Sequence, residues 1–203
     1  MTQIPGNSYC HRGGAEALLG ATIPEHFAAI AARFPDNEAI VSIHQQRRLN
    51  YAELAGAVEQ LARGLLGTGF GKGDRIGIWS TNNIEWLLLQ LATASIGALL
   101  VNINPAYRPR ELAYALQRSE VQGLVVIPAF RSSDYIAMLV ELLPELHDAD
   151  PATELHNTDF PHLRRIVVFD PGDPGHTRRP YPGFMTWTEL LAAGMTVSSA
   201  TLE

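Results

Sequence analysis

The sequence has one lysine, Lys72, although its 203 residues include fifteen basic and 21 acidic side chains. Any reaction that needs a catalytic lysine must therefore use Lys72 or a residue outside this chain. Basic residues never occur in runs longer than two, and the formal net charge is -6. The chain therefore lacks the cationic surface with which proteins bind the phosphates of a nucleic acid, and we expect no nucleic-acid partner.

The sequence also has one cysteine, Cys10, which excludes an internal disulfide bond. No charged and then apolar leader opens the chain. These two features predict a cytoplasmic protein, since the cytoplasm keeps thiols reduced. Cys10 and its neighbour His11 lie in a glycine-rich opening segment with little periodicity, so we do not expect a catalytic thiol there.

No long hydrophobic run is present. The most apolar stretch, residues 86–103, is interrupted by polar residues such as Gln90 and Asn102, whereas a membrane span needs ~20 predominantly apolar residues. We therefore predict a buried helix followed by a buried strand in this stretch, and no transmembrane segment.

Helix and strand patterns begin at residue 22. Three pairs of residues have the spacing of a helix capping box: Thr22 with Glu25, Asn50 with Glu53, and Thr186 with Glu189. From residue 75 onward, predicted strands alternate with predicted helices. The strands are at 75–79, 98–102, 123–127 and 164–169, and the helices are at 83–96, 109–118 and about 136–143. Apolar strands without alternation predict the α/β class, with a mostly parallel sheet covered by helices on both faces.

The composition divides the chain into a lead-in and one larger unit. Residues 1–21 are predicted to be a flexible lead-in, and residues 22–203 to form part of a single domain. Seven of the thirteen prolines fall between Pro144 and Pro182. We therefore predict proline-rich loops at 144–164 and 170–185 within this domain.

The glycine-rich segment 67–73 invites comparison with phosphate-binding loops. A Walker loop has a glycine five residues before its Gly-Lys pair and Ser or Thr after it, but here Leu66 and Gly73 occupy those positions. The segment also follows a predicted helix, whereas the dinucleotide fingerprint follows a strand. We therefore predict a helix end and a tight turn at Gly73 and Asp74.

Histidines and aspartates are concentrated in the first proline-rich loop. They are His147, Asp148, Asp150, His156, Asp159 and His162. Imidazole and carboxylate groups suit divalent metals, but the spacings are irregular and no two histidines are four residues apart. We predict a solvated loop and no metal site.

Two segments contain more specific patterns. Residues 49–54, Leu-Asn-Tyr-Ala-Glu-Leu, place a cap, an aromatic ring and a carboxylate at the entry of an amphipathic helix. Residues 91–112 indicate a helix, a stop at Gly97, a strand, an Asn-Pro turn and another helix. Ligands of open α/β sheets gather at the carboxyl ends of strands, so residues 102–107 are the candidate ligand-facing loop. A purely architectural role stays open for residues 49–54, and it is the favoured interpretation of residues 102–107.

These segments resemble two core motifs of the AMP-forming acyl-CoA synthetases, which belong to the adenylate-forming superfamily. Residues 49–54 are similar to Leu-Thr/Ser-Tyr-x-Glu-Leu, with Asn50 in the hydroxyl position, and residues 92–105 are similar to the second motif. Residues 102–112 are more similar to the fatty-acid CoA ligases than to the peptide-synthetase branch. The resemblance implies that the chain begins the large N-terminal domain of such an enzyme.

The resemblance also implies a reaction for the parent enzyme. With ATP and Mg²⁺ it would convert a fatty acid or related carboxylate to an acyl-adenylate, and coenzyme A would then displace AMP. The family's Thr-Ser-Gly-Thr-Thr-Gly-x-Pro-Lys phosphate loop, later nucleotide motifs, hinge aspartate and C-terminal lysine have no counterpart here, and Lys72 matches none of them. We therefore predict no catalytic, cofactor-binding or metal-binding residue in this chain. Alone, it should be inactive and bind none of these cofactors tightly.

Two other interpretations stay open. The chain could be a stand-alone, non-catalytic α/β module that uses the ligase scaffold for binding or oligomerisation, or a flavodoxin-like domain. A sheet that stops midway leaves an unpaired edge and apolar helix faces. Self-association of the chain is therefore expected.

Overall fold

The computed structural model describes residues 18–173 and 181–202. The helices of this part are α1 (Ile23–Arg33), α2 (Tyr51–Gly67), α3 (Ile84–Ser95), α4 (Pro109–Ser119), α5 (Tyr135–Leu142) and α6 (Trp187–Ala193). The strands are β1 (Glu38–Ser42), β2 (Arg47–Asn50), β3 (Arg75–Trp79), β4 (Leu99–Ile103), β5 (Gly123–Val126), β6 (Ala129–Phe130), β7 (Ser133–Asp134), β8 (Arg165–Val168) and β9 (Met185–Thr186). Short 3₁₀ turns occupy Pro144–His147, Gly194–Thr196 and Ser199–Leu202.

The central sheet confirms the α/β prediction. Its strand order is β4-β3-β5-β8-β9, and every pairing is parallel. All residues of β5 and β8 are buried, as expected for strands that are covered on both faces. Two small antiparallel hairpins, β1–β2 and β6–β7, lie outside this sheet.

Helices cover both faces of the sheet. The chain moves from β3 to the edge strand β4 and then returns past β3 to β5. Because such crossovers are right-handed, these opposite steps put α3 and α4 on opposite faces. Helix α2 packs against both α3 and α6, and α4 packs against α5.

The three predicted capping boxes are all present. The side chains of Thr22, Asn50 and Thr186 each accept a hydrogen bond from the backbone three residues on, and the glutamate there bonds back. Helix α2 also ends as predicted. Gly69 has a left-handed backbone with φ 87°, and the N–H of Phe70 donates to the carbonyl of Leu65 at 3.0 Å.

The predicted loop 144–164 and the described residues of 170–185 contain little regular structure, but they contribute to the core; residues 174–180 of the second loop lie outside the described residues. Four apolar side chains of residues 144–164 are buried: Leu146, Leu155, Phe160 and Leu163. At the end of the second segment, Phe184 and Met185 are buried, and β9 adds a fifth strand beside β8. None of the helices in the described ranges is long and apolar enough to cross a bilayer.

Candidate functional site

A cleft of ≈ 540 Å³ opens at the carboxyl ends of β3 and β4. Its lining consists of Ser80, Thr81, Asn82, Trp86, Asn102, Ile103, Asn104 and Pro105. The predicted ligand-facing loop, residues 102–107, therefore supplies one wall. The other wall is the turn after β3 together with the first turn of α3, which the sequence analysis did not single out.

Two stacked aromatic rings support the loop at the cleft. The rings of Trp79 and Tyr135 are parallel within 2°, with centroids 3.5 Å apart, and both side chains are fully buried. Trp79 Nε1 donates to the carbonyl of Asn104 at 3.0 Å, and the Tyr135 hydroxyl donates to the carbonyl of Pro105. Burial raises the pKa of Tyr135 to about 12, because the phenolate would lose its hydration.

The same rings fill the crevice in which open α/β sheets commonly bind ligands. That crevice lies between β3 and β5, since the chain leaves these neighbouring strands toward opposite sides of the sheet. Trp79 ends β3, and the N–H of Tyr135 donates at 2.9 Å to the carbonyl of Pro128, which follows β5. The open cleft therefore lies one strand away from this crevice, at the carboxyl ends of β3 and β4.

A network of hydrogen bonds fixes the turn between β3 and α3. Asn83 caps α3, and its Oδ1 accepts from the N–H of Trp86 at 2.8 Å. Its Nδ2 donates to Ser80 Oγ at 2.8 Å, and this hydroxyl donates to the carbonyl of Thr81 at 2.9 Å. Ser80 and Asn83 are buried, so this wall has a defined shape before any ligand arrives.

The one acidic residue in the first turn of α3, Glu85, binds the β1–β2 hairpin. Its Oε1 lies 2.9 Å from Arg47 Nη1, and its Oε2 accepts from Gln45 Nε2 at 2.8 Å. Gln45 Oε1 accepts in turn from the N–H of Ile84 at 2.9 Å. The carboxylate is thus paired outside the cleft, whose described lining carries no charged side chain.

The glycine-rich segment is a turn at the opposite end of the sheet. The N–H of Gly69 donates to Leu66, that of Gly71 to the carboxylate of Asp74, and that of Gly73 to Gly97, all at 2.9 to 3.0 Å. These amides are therefore used within the fold and do not form a phosphate cradle.

The remaining sequence candidates lie away from the cleft. Lys72 is exposed and lies beside Gly97, before the amino-terminal ends of β3 and β4. Within residues 18–173 and 181–202, no three histidine, cysteine or acidic side chains are grouped so that they could hold a metal ion. Cys10 and His11 lie outside the described residues, as does most of the predicted lead-in.

Comparison with models of protein families shows which family the chain belongs to. Residues 27–177 match the model of the family described as AMP-binding enzyme. The chain belongs to this AMP-binding enzyme family. The match begins inside α1, continues past β8 and includes both segments that resemble the acyl-CoA synthetase motifs.

Relatives of this AMP-binding enzyme chain include acyl-CoA ligases. The chain is 38% identical over 191 residues to the protein named medium-chain acyl-CoA ligase ACSF2, mitochondrial, from Mus musculus. The aligned region covers 94% of this chain and 30% of that relative. The Homo sapiens protein of that name is 36% identical over 195 residues, with 96% and 30% covered. The AMP-binding enzyme chain thus spans less than a third of the length of these relatives.

Solved structures confirm the fold of the AMP-binding enzyme chain. A protein named as a long-chain-fatty-acid CoA ligase from Rhodopseudomonas palustris CGA009 superposes with a TM-score of 0.64 at 25% identity, covering 84% of this chain and 36% of that one. The anthranilate CoA ligase AuaEII, in complex with anthranoyl-AMP, has a TM-score of 0.65 at 17% identity, with 85% and 28% covered. At 17% identity, the similarity to AuaEII shows the fold alone.

Proposed function

We propose that this chain is the amino-terminal part of an AMP-forming acyl-CoA ligase. The whole protein would use ATP and Mg²⁺ to convert a fatty acid to an acyl-adenylate, and would then transfer the acyl group to coenzyme A. The observation that carries this proposal is the 38% identity, over nearly all of the chain, to a protein named as a medium-chain acyl-CoA ligase. Membership of the AMP-binding enzyme family supports the same reaction class.

Within that enzyme, we assign this chain a scaffolding role. Adenylate formation must stabilise negative charge on the reacting phosphate and the leaving pyrophosphate, which requires cations or a metal near the reaction. The described lining of the cleft is uncharged, Lys72 lies at the other end of the sheet, and the residues of the described ranges do not fit a Mg²⁺ site. The chain alone is therefore expected to be inactive and to bind ATP, Mg²⁺ and coenzyme A weakly.

The test of the ligase assignment uses the longer protein. The chain and the coding sequence that follows it are expressed together, and fatty-acid-dependent release of AMP and formation of an acyl-CoA thioester are measured. We expect both products, with each depending on fatty acid and ATP. A folded longer protein that forms neither product with short, medium or long fatty acids would contradict the assignment.

The rival proposal is a non-catalytic module that uses the same scaffold for binding or oligomerisation. The observation that favours it is the edge strand β4, which has no partner on its outer side within the described chain and whose Leu99 is 50% exposed. Self-association through such an edge is expected of the isolated chain. Sedimentation velocity across a concentration series would show it as a rising weight-average mass.

The cellular compartment of the protein is a separate proposal. A single cysteine suits a reducing cytoplasm, whereas the ACSF2 relatives are named as mitochondrial proteins. We propose the cytoplasm, and a fluorescent fusion of the longer protein in its own cell would test this.

A further inference from the structure

We propose that β4 is the contact surface for a second copy of this chain, and that the two β4 strands pair antiparallel about a two-fold axis. The outer side of β4 has no neighbouring strand among the described residues, and Leu99 on this strand is 50% exposed. The inference rests on the self-association that the rival proposal expects, and it names the partner, the strand and the register. It does not depend on ligase activity, so a failed ligase assay leaves it standing.

Strand β4 lacks the features that normally protect a free strand edge, which are charges, bulges and short length. Strand β9, at the opposite edge of the sheet, has two residues, Met185 and Thr186, and both are buried. The β1–β2 hairpin has an irregularity between Glu38 and Ile40 and carries the ion pair of Glu38 and Arg48. Strand β4 pairs with β3 in regular register along its whole length and contains no charged residue or proline.

The backbone of β4 directs hydrogen-bonding groups to its outer side at Leu100 and Asn102. The N–H of Leu99 donates at 2.8 Å to the carbonyl of Asp74, which directly precedes β3, so the backbone groups of Leu99 point toward β3. The direction of these groups alternates along a strand, and Val101 therefore also faces β3. The N–H and C=O groups of Leu100 and Asn102 point away from β3, where a further strand would bind them.

This pattern is self-complementary. When a two-fold axis perpendicular to the sheet passes beside Val101, Leu100 lies opposite Asn102 of the second copy. These residues then form a hydrogen-bonded pair of an antiparallel ladder, and Val101 meets Val101 of the second copy as the closer, non-hydrogen-bonded pair. Leu99 lies opposite Ile103 of the second copy and loses part of its exposed apolar surface.

Charge does not oppose this contact. Residues 86–107, which include most of α3 and all of β4, have no charged side chain. Helix α3 packs against β4, so the pairing also brings the two copies of α3 toward each other. On α3, Leu87, Leu91 and Ala94 have the spacing of one helix stripe and are only partly buried. A two-fold axis places like residues close together, and an uncharged surface avoids the repulsion that like charges would cause.

The symmetry of this pairing predicts a closed dimer. A head-to-tail assembly would need β9 of one copy to accept β4 of the next. Strand β9 offers two buried residues and is followed directly by α6. Antiparallel pairing of β4 uses the same edge on both copies, so the assembly stops at the dimer.

The test is the monomer–dimer equilibrium of the 203-residue chain, measured by sedimentation velocity over a concentration series. We expect the weight-average mass to reach a plateau at the mass of the dimer. Leu100→Pro removes an N–H that points away from β3, and it should raise the dissociation constant of the dimer roughly tenfold or more, because each dimer loses this hydrogen bond twice. Circular dichroism and thermal unfolding check that the variant is folded.

A second variant keeps the test decisive where Leu100→Pro fails to fold. Leu99→Lys places a charge at a position that is 50% exposed in the single chain, and it should weaken the dimer by at least a similar factor. The matched control is Ile43→Lys, which makes the same change at a position that follows β1 and is 76% exposed. This control should leave the dissociation constant unchanged.

Hydrogen exchange locates the contact. The amides of Leu100 and Asn102 should exchange more slowly in the dimer than in the dilute monomer. The proposal is overturned by a monomer at every concentration, by a mass that rises without a plateau, or by a dimer that neither Leu100→Pro nor Leu99→Lys weakens. Slow exchange of the same two amides in the monomer would also overturn it, because another segment of the same chain would then cover the edge.

Discussion

At the scale of single residues, Tyr135 connects the core to the cleft. Its ring is buried against Trp79, and its hydroxyl is the partner of the Pro105 carbonyl. Replacement by phenylalanine keeps the stacked ring but leaves that carbonyl without its donor. For Tyr135→Phe we expect a loss of about 1 kcal/mol in the free energy of unfolding at neutral pH, measured by urea denaturation.

The same side chain makes stability depend on alkaline pH. Its pKa is about 12 in the folded protein against an ordinary 10.0, so the folded state keeps this proton after the unfolded state has lost it. The stabilisation is complete below pH 10 and is lost as the pH rises from 10 to 12. The difference in the free energy of unfolding between wild type and Tyr135→Phe should therefore become smaller as the pH rises from 10 to 12. Tyr114, which is 67% exposed, provides the control, and an unchanged difference would contradict the assignment.

Glu85 is a second residue whose role is local and measurable. Its side chain is 2% exposed and binds Arg47 and Gln45, which belong to the β1–β2 hairpin. Removal of the carboxylate takes a charged partner from Arg47, whose side chain is 31% exposed, and from the buried amide of Gln45. Glu85→Ala should lower the free energy of unfolding by about 3 kcal/mol.

The matched control for Glu85 is the exposed pair of Glu38 and Arg48, whose side chains are 51% and 64% exposed. Glu38→Ala should change stability by at most about 1 kcal/mol, because solvent screens such a pair. Equal effects of the two substitutions would show that the hairpin does not depend on the buried carboxylate.

Residue-scale roles were only partly predictable from the sequence. The loop 102–107 was placed correctly at a strand end, because an Asn-Pro turn after an apolar run is a local signal. The contact between Trp79 and Tyr135 was not predicted. It depends on β5 lying beside β3, which is a property of the strand order and has no local pattern. The same is true of the bonds that Glu85 makes to the hairpin.

At the scale of elements, close packing of glycines joins α2 to α6. A Cβ at Gly67 would lie 2.1 Å from the carbonyl oxygen of Ala193, and one at Gly64 would lie 2.5 Å from that of Leu190. Gly67→Ala should therefore destabilise the protein by about 1 to 3 kcal/mol, although alanine is the better helix former.

Gly56 lies in the same helix, and a Cβ there would meet nothing within 4 Å. Gly56→Ala should stabilise the chain by up to about 1 kcal/mol, since only the helix propensity changes. The two melting temperatures should move in opposite directions from wild type. Parallel shifts would contradict the close contact between α2 and α6.

Elements with a strong local signal were predicted well. Strand β3 was predicted at its observed bounds, and α3 and α4 within a residue at each end, because caps and apolar periodicity define them. Strand β9 and the β6–β7 hairpin were not predicted. They are two residues long each, too short for a period, and β9 forms only because β8 offers an edge.

At the scale of the whole molecule, the described chain forms a five-stranded parallel sheet, but it covers 30% of its ligase relatives. The sequence predicted the fold class and the family, because the motif segments are local. It also predicted that the catalytic groups lie outside this chain. That division between a scaffold in this chain and catalytic groups elsewhere stays a prediction.

The most direct measurement of this division is fatty-acid-dependent exchange of pyrophosphate into ATP. The assay compares the purified 203-residue chain with the longer protein at equal concentration, with Mg²⁺ and a series of fatty acids. We expect exchange from the longer protein and none above background from the chain alone, because the described lining of the cleft has no cation for the reacting phosphates. Robust exchange by a pure preparation of the chain would contradict the account.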